Sequence, residues 1–549
     1  MKIINKFLAC FILLTFLSCE KELTKINENP NGVIPQTVNP NLILPTVLSE
    51  TAKSFVNVGY QDIAGVVQHT QKDAWSSGHN DYDWGGDQSW GGYYDILRNN
   101  QLLYDRSVEL KQEFNQGVSL VIKSLMFGLI TDLWGDAPYT YALKGELGGV
   151  ENILPAFDSQ EVIYKGILVD LEKANVLLSK NKSDYLGIVD ASDIYYNGDP
   201  SKWRKLANSL QLRYYMRISS KLPAFAKSGI ENIAGKPDQY PIIMNFSDDA
   251  AMSFLGNNEG DSWPANTYTD ASGSNYRRIK MSATFVKELQ SLNDPRLAVW
   301  AKKVEIPLVV RNSFPPGTDE IVEINGQKYR NLSPDKVGNA SIDTDLNYVG
   351  LPPSVSALPS GYNLNPTPGQ TSFNPHVSYL NEIYKASRGP LLKARLVSAA
   401  EVYFILAEAA LKGWNVGNAK THYEAAILAS LNTWQLGNSY ATYITQPGVA
   451  YAGTLQQIIS QKWIASWTAA TEAWFDYRRT GFPVLKAGPA AKREALPLRF
   501  VYMMNEMTIN KANAEEAVNK LEVTVYSQAG GKNSQWSKPW LIKGTGKPW

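Results

Sequence analysis

Apolar residues at helical spacing recur along most of this chain, which limits it to architectures built from packed helices. Apolar side chains three and four residues apart share one face of a helix, and that face must be buried. Segment 117–133 is strongly apolar but contains Lys123 and is too short for a membrane span, so it predicts a buried core helix. The sequence therefore predicts a mainly α fold, with helices at 42–71, 93–112, 117–133, 159–180, 200–220, 396–412, 418–433, 454–476 and 503–520.

One pair of predicted helices has the form of a repeat unit. Helix 396–412 is followed by Gly413, and Asn418 is placed to cap the next helix. Tyr423 and two alanines follow at three-residue steps, and such small side chains allow two helices to approach closely. A helical hairpin of this kind is typical of tetratricopeptide repeats, although the full consensus is absent.

Long stretches without regular patterning separate the helices. They cover 73–92, 182–199, 232–281 and 306–390. Within the last of these, residues 306–330 predict a strand pair with a turn at Asn325-Gly326. Irregular segments of this length are usually functional or disordered, so we expect helices to form the scaffold and loops the binding face.

The N-terminus has the pattern of an export signal. Lys2 and Lys6 precede an apolar stretch from Phe7 to Leu17, which is too short to span a bilayer. Ser18 and Cys19 then form the pattern of a bacterial lipoprotein cleavage site, so Cys19 is the predicted lipidation residue. The alternative is an ordinary secretory signal with a cysteine there by chance.

These features divide the chain into three parts. Residues 1–18 are the predicted signal peptide, 19–40 a lipidated polar tether, and 41–549 a single helical domain. The predicted location is the outer membrane, with the domain anchored by lipid and facing the cell exterior.

Composition and missing motifs narrow the possible functions. With 53 Lys and Arg against 52 Asp and Glu, the chain lacks the excess positive charge that nucleic-acid binding requires. The sequence contains no phosphate-binding loop, dinucleotide fingerprint, nucleophile elbow or zinc-protease helix, and its four histidines are scattered. We therefore expect no nucleic acid, no cofactor and no catalytic centre of these classes.

Two acidic patterns need separate consideration. Glu401 and Glu408 lie seven residues apart on one predicted helix, a spacing of about 10 Å along the axis. Glycosidase carboxyl pairs usually come from different elements, so pairing with basic residues of neighbouring helices is favoured. Asp81, Asp83 and Asp87 partly match a calcium loop, but Gly92 stands where the closing Glu belongs, and the segment is only a weak calcium candidate.

Aromatic residues flanked by amides are concentrated in loops 73–92 and 256–278. Exposed rings can stack on the C–H faces of sugars while amides bind the hydroxyl groups. The alternative is that these rings fasten the loops to the helices. The candidate ligand-binding residues are Trp75, Tyr82, Trp84, Trp263, Asn266, Tyr268, Asn275 and Tyr276.

Several strings give the chain a family resemblance over nearly its whole length. They are Gly128–Tyr139, Lys202–Ser219, Ser398–Trp414, Glu472–Pro483 and Leu496–Val518. With the lipoprotein cysteine and the Asn/Pro-rich entry, they resemble the SusD/RagB-like nutrient-binding outer-membrane lipoproteins of Bacteroidetes. The C-terminus departs from many relatives by ending in SQWSKPWLIKGTGKPW.

The resemblance implies a helical fold with tetratricopeptide-like hairpins, a loop-rich face and no catalysed reaction. It implies a SusC-like TonB-dependent transporter as partner, to which a captured glycan or peptide is handed. It also implies that Asp476, Arg478 and Arg479 lock helices together. The alternatives are a glycoside hydrolase on a helical scaffold and a protein that only docks the transporter.

Overall fold

The computed structural model describes residues 37–73, 75, 77–86, 88–270, 272–339, 341–354 and 373–549. The predicted lipidation residue Cys19 and the calcium candidate Asp87 lie outside the described residues, as does most of the predicted tether.

Helices form the bulk of the described chain and confirm the mainly α prediction. The longer helices are α1 Pro40–Val56, α2 Gly91–Glu109, α3 Glu113–Trp134, α4 Gln160–Leu177, α5 Pro200–Arg217, α6 Pro223–Gly235, α7 Ala283–Ser291, α8 Ala399–Leu411, α9 Ala419–Thr433, α10 Leu455–Ala465, α11 Ala470–Thr480 and α12 Lys511–Lys520. A π-helix spans Asn57–Ile63, and shorter α-helices span Ala64–Val66, Val150–Ile153, Ser274–Arg278, Arg296–Trp300, Pro334–Val337, Tyr440–Tyr443 and Met504–Ile509.

Several observed helices differ from the predictions. The predicted helix 42–71 is divided into α1, the π-helix Asn57–Ile63 and the short helix Ala64–Val66, and α7 was not predicted. The predicted helix 454–476 is interrupted between α10 and α11, where Thr468 takes a left-handed backbone conformation with φ of 68°. The predicted helix 503–520 is divided at Asn510. Helix α6 was not predicted; its Gly229 lies directly against the Tyr215 ring of α5, a tertiary contact that local spacing does not reveal.

Consecutive helices pack against each other, as in helical repeats. Each of the helices α2 to α6 packs against the next one in the sequence, and α8 packs extensively against α9. The predicted turn of that pair is present, since Gly413 has φ of 77° and the Asn418 side chain accepts a hydrogen bond from the Thr421 amide (3.1 Å). Tyr423 is fully buried at the interface.

Helix α3 is long and apolar enough to cross a membrane, but 94 % of its most apolar window is buried inside the protein. It is the single such helix among the described residues. This burial agrees with its prediction as a core helix.

The strands are short and form small sheets beside the helices. They are β1 Thr70–Lys72, β2 Ala137–Pro138, β3 Phe157–Asp158, β4 Ala250–Ser253, β5 Ile279–Met281, β6 Leu308–Val310, β7 Asp319–Ile324, β8 Gln327–Leu332 and β9 Lys393–Val397. Antiparallel pairs join β1 to β5, β2 to β3 and β4 to β9. The predicted Asn325-Gly326 turn connects β7 and β8, with positive φ at both residues (52° and 80°), and β6 adds to β8 in parallel.

A buried ionic cluster links α3, α5, α8, α10 and α11. Its members are Asp132, Arg213, Arg217, Glu401, Glu408, Lys462, Glu472, Asp476, Arg478 and Arg479, five carboxylates and five cations. Burial opposes ionisation of Asp476, but the Lys462 ammonium and the Arg479 guanidinium outweigh it and hold its pKa below the ordinary value.

The two glutamates that the sequence offered as a catalytic pair both belong to this ionic cluster. Arg213 donates to both carboxylate oxygens of Glu401 (2.6 Å each), and Arg479 donates to both oxygens of Glu408. Their pairing with basic residues of neighbouring helices is therefore the correct reading, and it serves the scaffold.

Candidate ligand-binding site

The two loops that the sequence singled out meet at one end of the β1–β5 ribbon. Lys72, the last residue of β1, is paired with Ile279, the first of β5. The start of loop 73–92 therefore lies beside the end of loop 256–278. One further backbone hydrogen bond, from the Asp73 amide to the Arg278 carbonyl (2.7 Å), extends the contact into both loops. The ribbon thereby brings Trp75 beside Arg278.

Trp75 is a half-exposed ring held in place by its surroundings. Lys72 Nζ lies 5.2 Å and the Arg278 guanidinium 5.7 Å from its ring centroid. The Asn80 side chain donates to the Trp75 carbonyl (3.0 Å) and exchanges two hydrogen bonds with the Lys72 backbone. The ring is 38 % exposed, so part of its surface is open to a ligand.

A polar groove of about 350 Å³ lies between the π-helix and the start of α2. Its amide groups come from Asn57 and Gln61, one turn apart on the π-helix, and from Gln88. Tyr93 supplies an aromatic ring, which packs against Trp134 at 5.8 Å. The remaining lining residues are Ser54, Val58, Asp62, Ser89 and Phe500.

Asp62 lines the groove and Lys72 lies against Trp75, and the two charges act on each other. Burial raises the pKa of Asp62, and Lys72 partly opposes that rise. Burial lowers the pKa of Lys72, and Asp62 opposes that change in turn. Hereafter the ribbon site means Asn57, Gln61, Asp62, Lys72, Trp75, Gln88, Tyr93 and Arg278.

His79 holds the π-helix against the ribbon. Its Nδ1 hydrogen-bonds with the Gln61 carbonyl, and its Nε2 with the Thr70 hydroxyl of β1 (3.0 Å). Gly65, just beyond the π-helix, lies against His79 so closely that a Cβ would overlap the His79 carbonyl and come within 2.8 Å of the imidazole.

Gly65→Ala is expected to lower the free energy of unfolding by ~1–3 kcal/mol, because the added methyl has no space beside His79. Thermal unfolding measures the loss. Gly92→Ala is the matched control, since nothing lies within 4 Å of the position its Cβ would take. Equal melting temperatures for the two variants would contradict the close approach.

Tyr82 and Trp84 were predicted to face a ligand, and the structure corrects this. Tyr82 is fully buried, and Trp84 is 5 % exposed. The Trp84 ring packs edge-on against Phe500 (4.8 Å) and Trp474 (5.7 Å). Both rings therefore fasten loop 73–92 to the core and have no free face for stacking.

Trp263 and Asn266 also act as fasteners, contrary to the prediction. Trp263 is fully buried, with its ring centroid 5.0 Å from that of Tyr60. Asn266, 4 % exposed, donates to the Trp263 carbonyl (2.7 Å) and accepts from the Thr269 amide (2.8 Å). These bonds fix the turn that presents Tyr268, which is 67 % exposed.

Of the last two candidates, Asn275 and Tyr276, one is exposed and the other is buried. Asn275 is exposed, whereas Tyr276 is buried, donates to the Leu380 carbonyl (2.5 Å) and stacks on Tyr379. The sequence prediction missed Phe373, an exposed ring against which the Arg277 guanidinium lies at 4.1 Å. Trp75, Tyr268 and Asn275 thus remain as ligand candidates, while Tyr276 is corrected to a packing residue.

The carboxylates of the calcium candidate that are described serve other partners. Asp81 accepts from the Asp83 amide (2.9 Å), and Asp83 accepts from Gly85 and Gln535 (3.0 Å each). Lys492 lies 3.8 Å from Asp83. Within the described ranges, no three His, Cys, Asp or Glu residues are grouped so as to hold a metal ion.

The ribbon site is suited to binding a polar molecule that also has apolar faces. Amides offer both donors and acceptors, and the rings of Trp75 and Tyr93 offer apolar faces. Of the described residues that line the groove, Asp62 is the one carboxylate, so the pair that glycoside hydrolysis requires is not assembled from them.

Comparisons with known proteins were made on both sequence and fold. A family model described as SusD-like, starch-binding and associating with the outer membrane matches residues 33–311 and 341–503. A search of functionally curated proteins finds no match.

Solved structures share the fold at low sequence identity. An outer-membrane protein from Bacteroides vulgatus, assigned to nutrient binding, is 25 % identical with a TM-score of 0.69. A SusD homologue from Bacteroides fragilis is 22 % identical (TM-score 0.70), and a chitin-binding protein is 23 % identical (TM-score 0.68). Each comparison covers 92 % of this chain and 100 % of the other.

Proposed function

Because the chain belongs to the SusD-like family of nutrient-binding outer-membrane proteins, we propose that it captures an oligosaccharide, or a peptide, at the cell surface and delivers it to a TonB-dependent transporter. It acts without cutting its ligand. A lipid on Cys19 anchors it to the outer membrane, with residues 19–40 as the tether.

The ribbon site is the observation that carries this proposal. It combines a half-exposed tryptophan, flanked by Lys72 and Arg278, with a groove rich in amides and poor in carboxylates. A neutral oligosaccharide presents the complementary surface, because its C–H faces stack on rings and its hydroxyl groups pair with amides. A peptide backbone also pairs with amides, so the ligand panel must contain both classes.

Trp75→Ala is expected to weaken oligosaccharide binding by ~1–3 kcal/mol, a loss typical of an aromatic anchor residue. Isothermal titration calorimetry with maltoheptaose, chitohexaose and a short peptide measures the affinity. Tyr141→Ala is the matched control, because that ring is similarly exposed (43 %, against 38 % for Trp75) but does not belong to the ribbon site. Trp84→Ala and Trp263→Ala are unsuitable here, since removing a buried ring opens a cavity in the core.

Chromatography of the titrated oligosaccharides tests the absence of catalysis. Intact chains after prolonged incubation agree with a binding protein, whereas shortened chains would establish a glycoside hydrolase. Co-purification with a large outer-membrane β-barrel, but no binding of any panel member, would favour a protein that only docks the transporter. Equal affinities for wild type and Trp75→Ala would reject the ribbon site as the binding surface.

A further inference from the structure

A second cavity, of about 420 Å³, lies where the C-terminal segment meets the ends of three helices. Ser220 and Lys221 follow α5, Lys412 follows α8, and Thr480 ends α11. The full lining is Ser220, Lys221, Glu408, Lys412, Leu455, Arg479, Thr480, Phe482, Lys543, Gly544, Thr545 and Lys547. None of these residues belongs to the ribbon site.

The cavity wall carries five cations and a single carboxylate. Glu408 is already neutralised, since it pairs with Arg479 and lies 3.5 Å from Lys412. Helix C-termini carry about half a negative charge each, which accounts for basic residues such as Lys221 and Lys412. Lys543 and Lys547 come from a separate segment, so positive charge remains in excess.

Three of the ammonium groups have no acidic partner in the part of the chain that the structure describes. Lys221 donates to the Lys543 carbonyl (2.9 Å), and Lys543 donates to the Lys520 carbonyl (3.0 Å). Lys547 Nζ lies 5.8 Å from the Phe482 ring centroid. An ammonium group has three donors, so Lys221 and Lys543 each keep donors for a ligand.

The cations that remain for a ligand are lysines. A guanidinium fork binds carboxylate and phosphate alike, but the fork of Arg479 is filled by Glu408 and Asp476. The groups that remain are ammonium point charges from separate segments, and several of them around one cavity can share the oxygens of a sulfate or phosphate group. We propose that this cavity binds a sulfate or phosphate monoester, carried by a saccharide or by a lipid headgroup.

The cavity depends on a segment that lies beyond the match to the family model. The match to the family model ends at residue 503, so Lys543 and Lys547 lie beyond it. The same residues fall in the C-terminal sequence that departs from many relatives. The proposal is therefore independent of the ribbon site, and either can fail alone.

Calorimetry with glucose 6-sulfate, glucose 6-phosphate and glucose tests the site on the full chain. A parallel test measures binding to phosphatidylcholine vesicles with or without phosphatidic acid. All proteins carry Cys19→Ser, so that a lipid attached to Cys19 cannot itself bind the protein to the vesicles. We expect the charged probes to bind and Lys543→Gln/Lys547→Gln to weaken them at least about tenfold, because two nearby charges are lost. Glucose, which carries no charge, should bind equally weakly to wild type and to Lys543→Gln/Lys547→Gln.

Lys511→Gln/Lys532→Gln is the matched control, because it removes the same charge from exposed lysines outside the cavity. Binding of the sugar esters alone supports a saccharide ligand, and binding of the acidic vesicles alone supports a lipid headgroup. Wild type that binds no charged probe, or equal affinities for wild type and Lys543→Gln/Lys547→Gln, overturns the proposal. An equal loss in the control variant also overturns it, since net charge would then explain the binding.

Discussion

Glu472→Gln is expected to lower the free energy of unfolding by ~3–5 kcal/mol, the usual cost of removing one partner from a buried ion pair. Glu472 Oε2 accepts from Arg217 Nη2 (2.5 Å), and Arg213 Nη1 lies 3.7 Å from Oε1. Both arginine side chains are only 2 % exposed, so neither can turn to water. Glutamine keeps the size of the side chain, and the loss therefore measures charge rather than packing.

Urea unfolding at neutral pH measures this loss, and circular dichroism checks that the variant is folded. Glu515→Gln serves as the control, because Glu515 is exposed and its contact with Lys511 is long (3.7 Å). An exposed pair of this kind contributes less than about 1 kcal/mol. If both variants lost the same small amount, the ionic cluster would not be the lock between α5 and α11.

Helices and caps were predictable because their causes are local. Asn418 caps α9 and Asn325-Gly326 turns the β7–β8 hairpin, and each role depends on residues within a few positions. The π-helix was not predictable in this way. The residue spacing predicts one continuous α-helix over 42–71. The wider turn of the π-helix, which carries the polar residues Asn57 and Gln61, interrupts that helix.

Which aromatic residues face a ligand depends on distant parts of the chain. Trp75 and Trp84 lie in one loop with similar neighbours, yet Trp84 is buried by Trp474 and Phe500, far away in sequence. Trp75 stays half-exposed, and its neighbour Arg278 is brought beside it by the β1–β5 pairing, which is also distant in sequence. Loop composition located the region of the site, but only tertiary packing separates its ligand candidates from its fasteners.

Acidification from pH 7 to 5 is expected to destabilise the protein by about 2 kcal/mol through each of two buried histidines. Burial lowers the pKa of His69 and of His79 from 6.5 to about 3, so both stay neutral in the fold. The unfolded chain binds protons below pH 6.5 while the folded chain does not. The stabilisation by the neutral imidazoles is thus complete above that pH and is lost as the pH falls.

Asp249 has the opposite effect on stability when the pH falls, and it therefore provides the control for this test. Burial raises its pKa from 3.8 to about 7, so acidification from pH 7 to 5 protonates it in the fold and adds about 2 kcal/mol. Urea unfolding at pH 5, 6 and 7 should therefore show a shallower loss of stability for His79→Asn and a steeper loss for Asp249→Asn. In Asp249→Asn, the asparagine can still accept the hydrogen bond from the Ala399 amide. In His79→Asn, the asparagine can still donate to the Gln61 carbonyl. Because slopes are compared, a constant packing loss in either variant cancels, and three parallel slopes would show that neither residue is held in its neutral form.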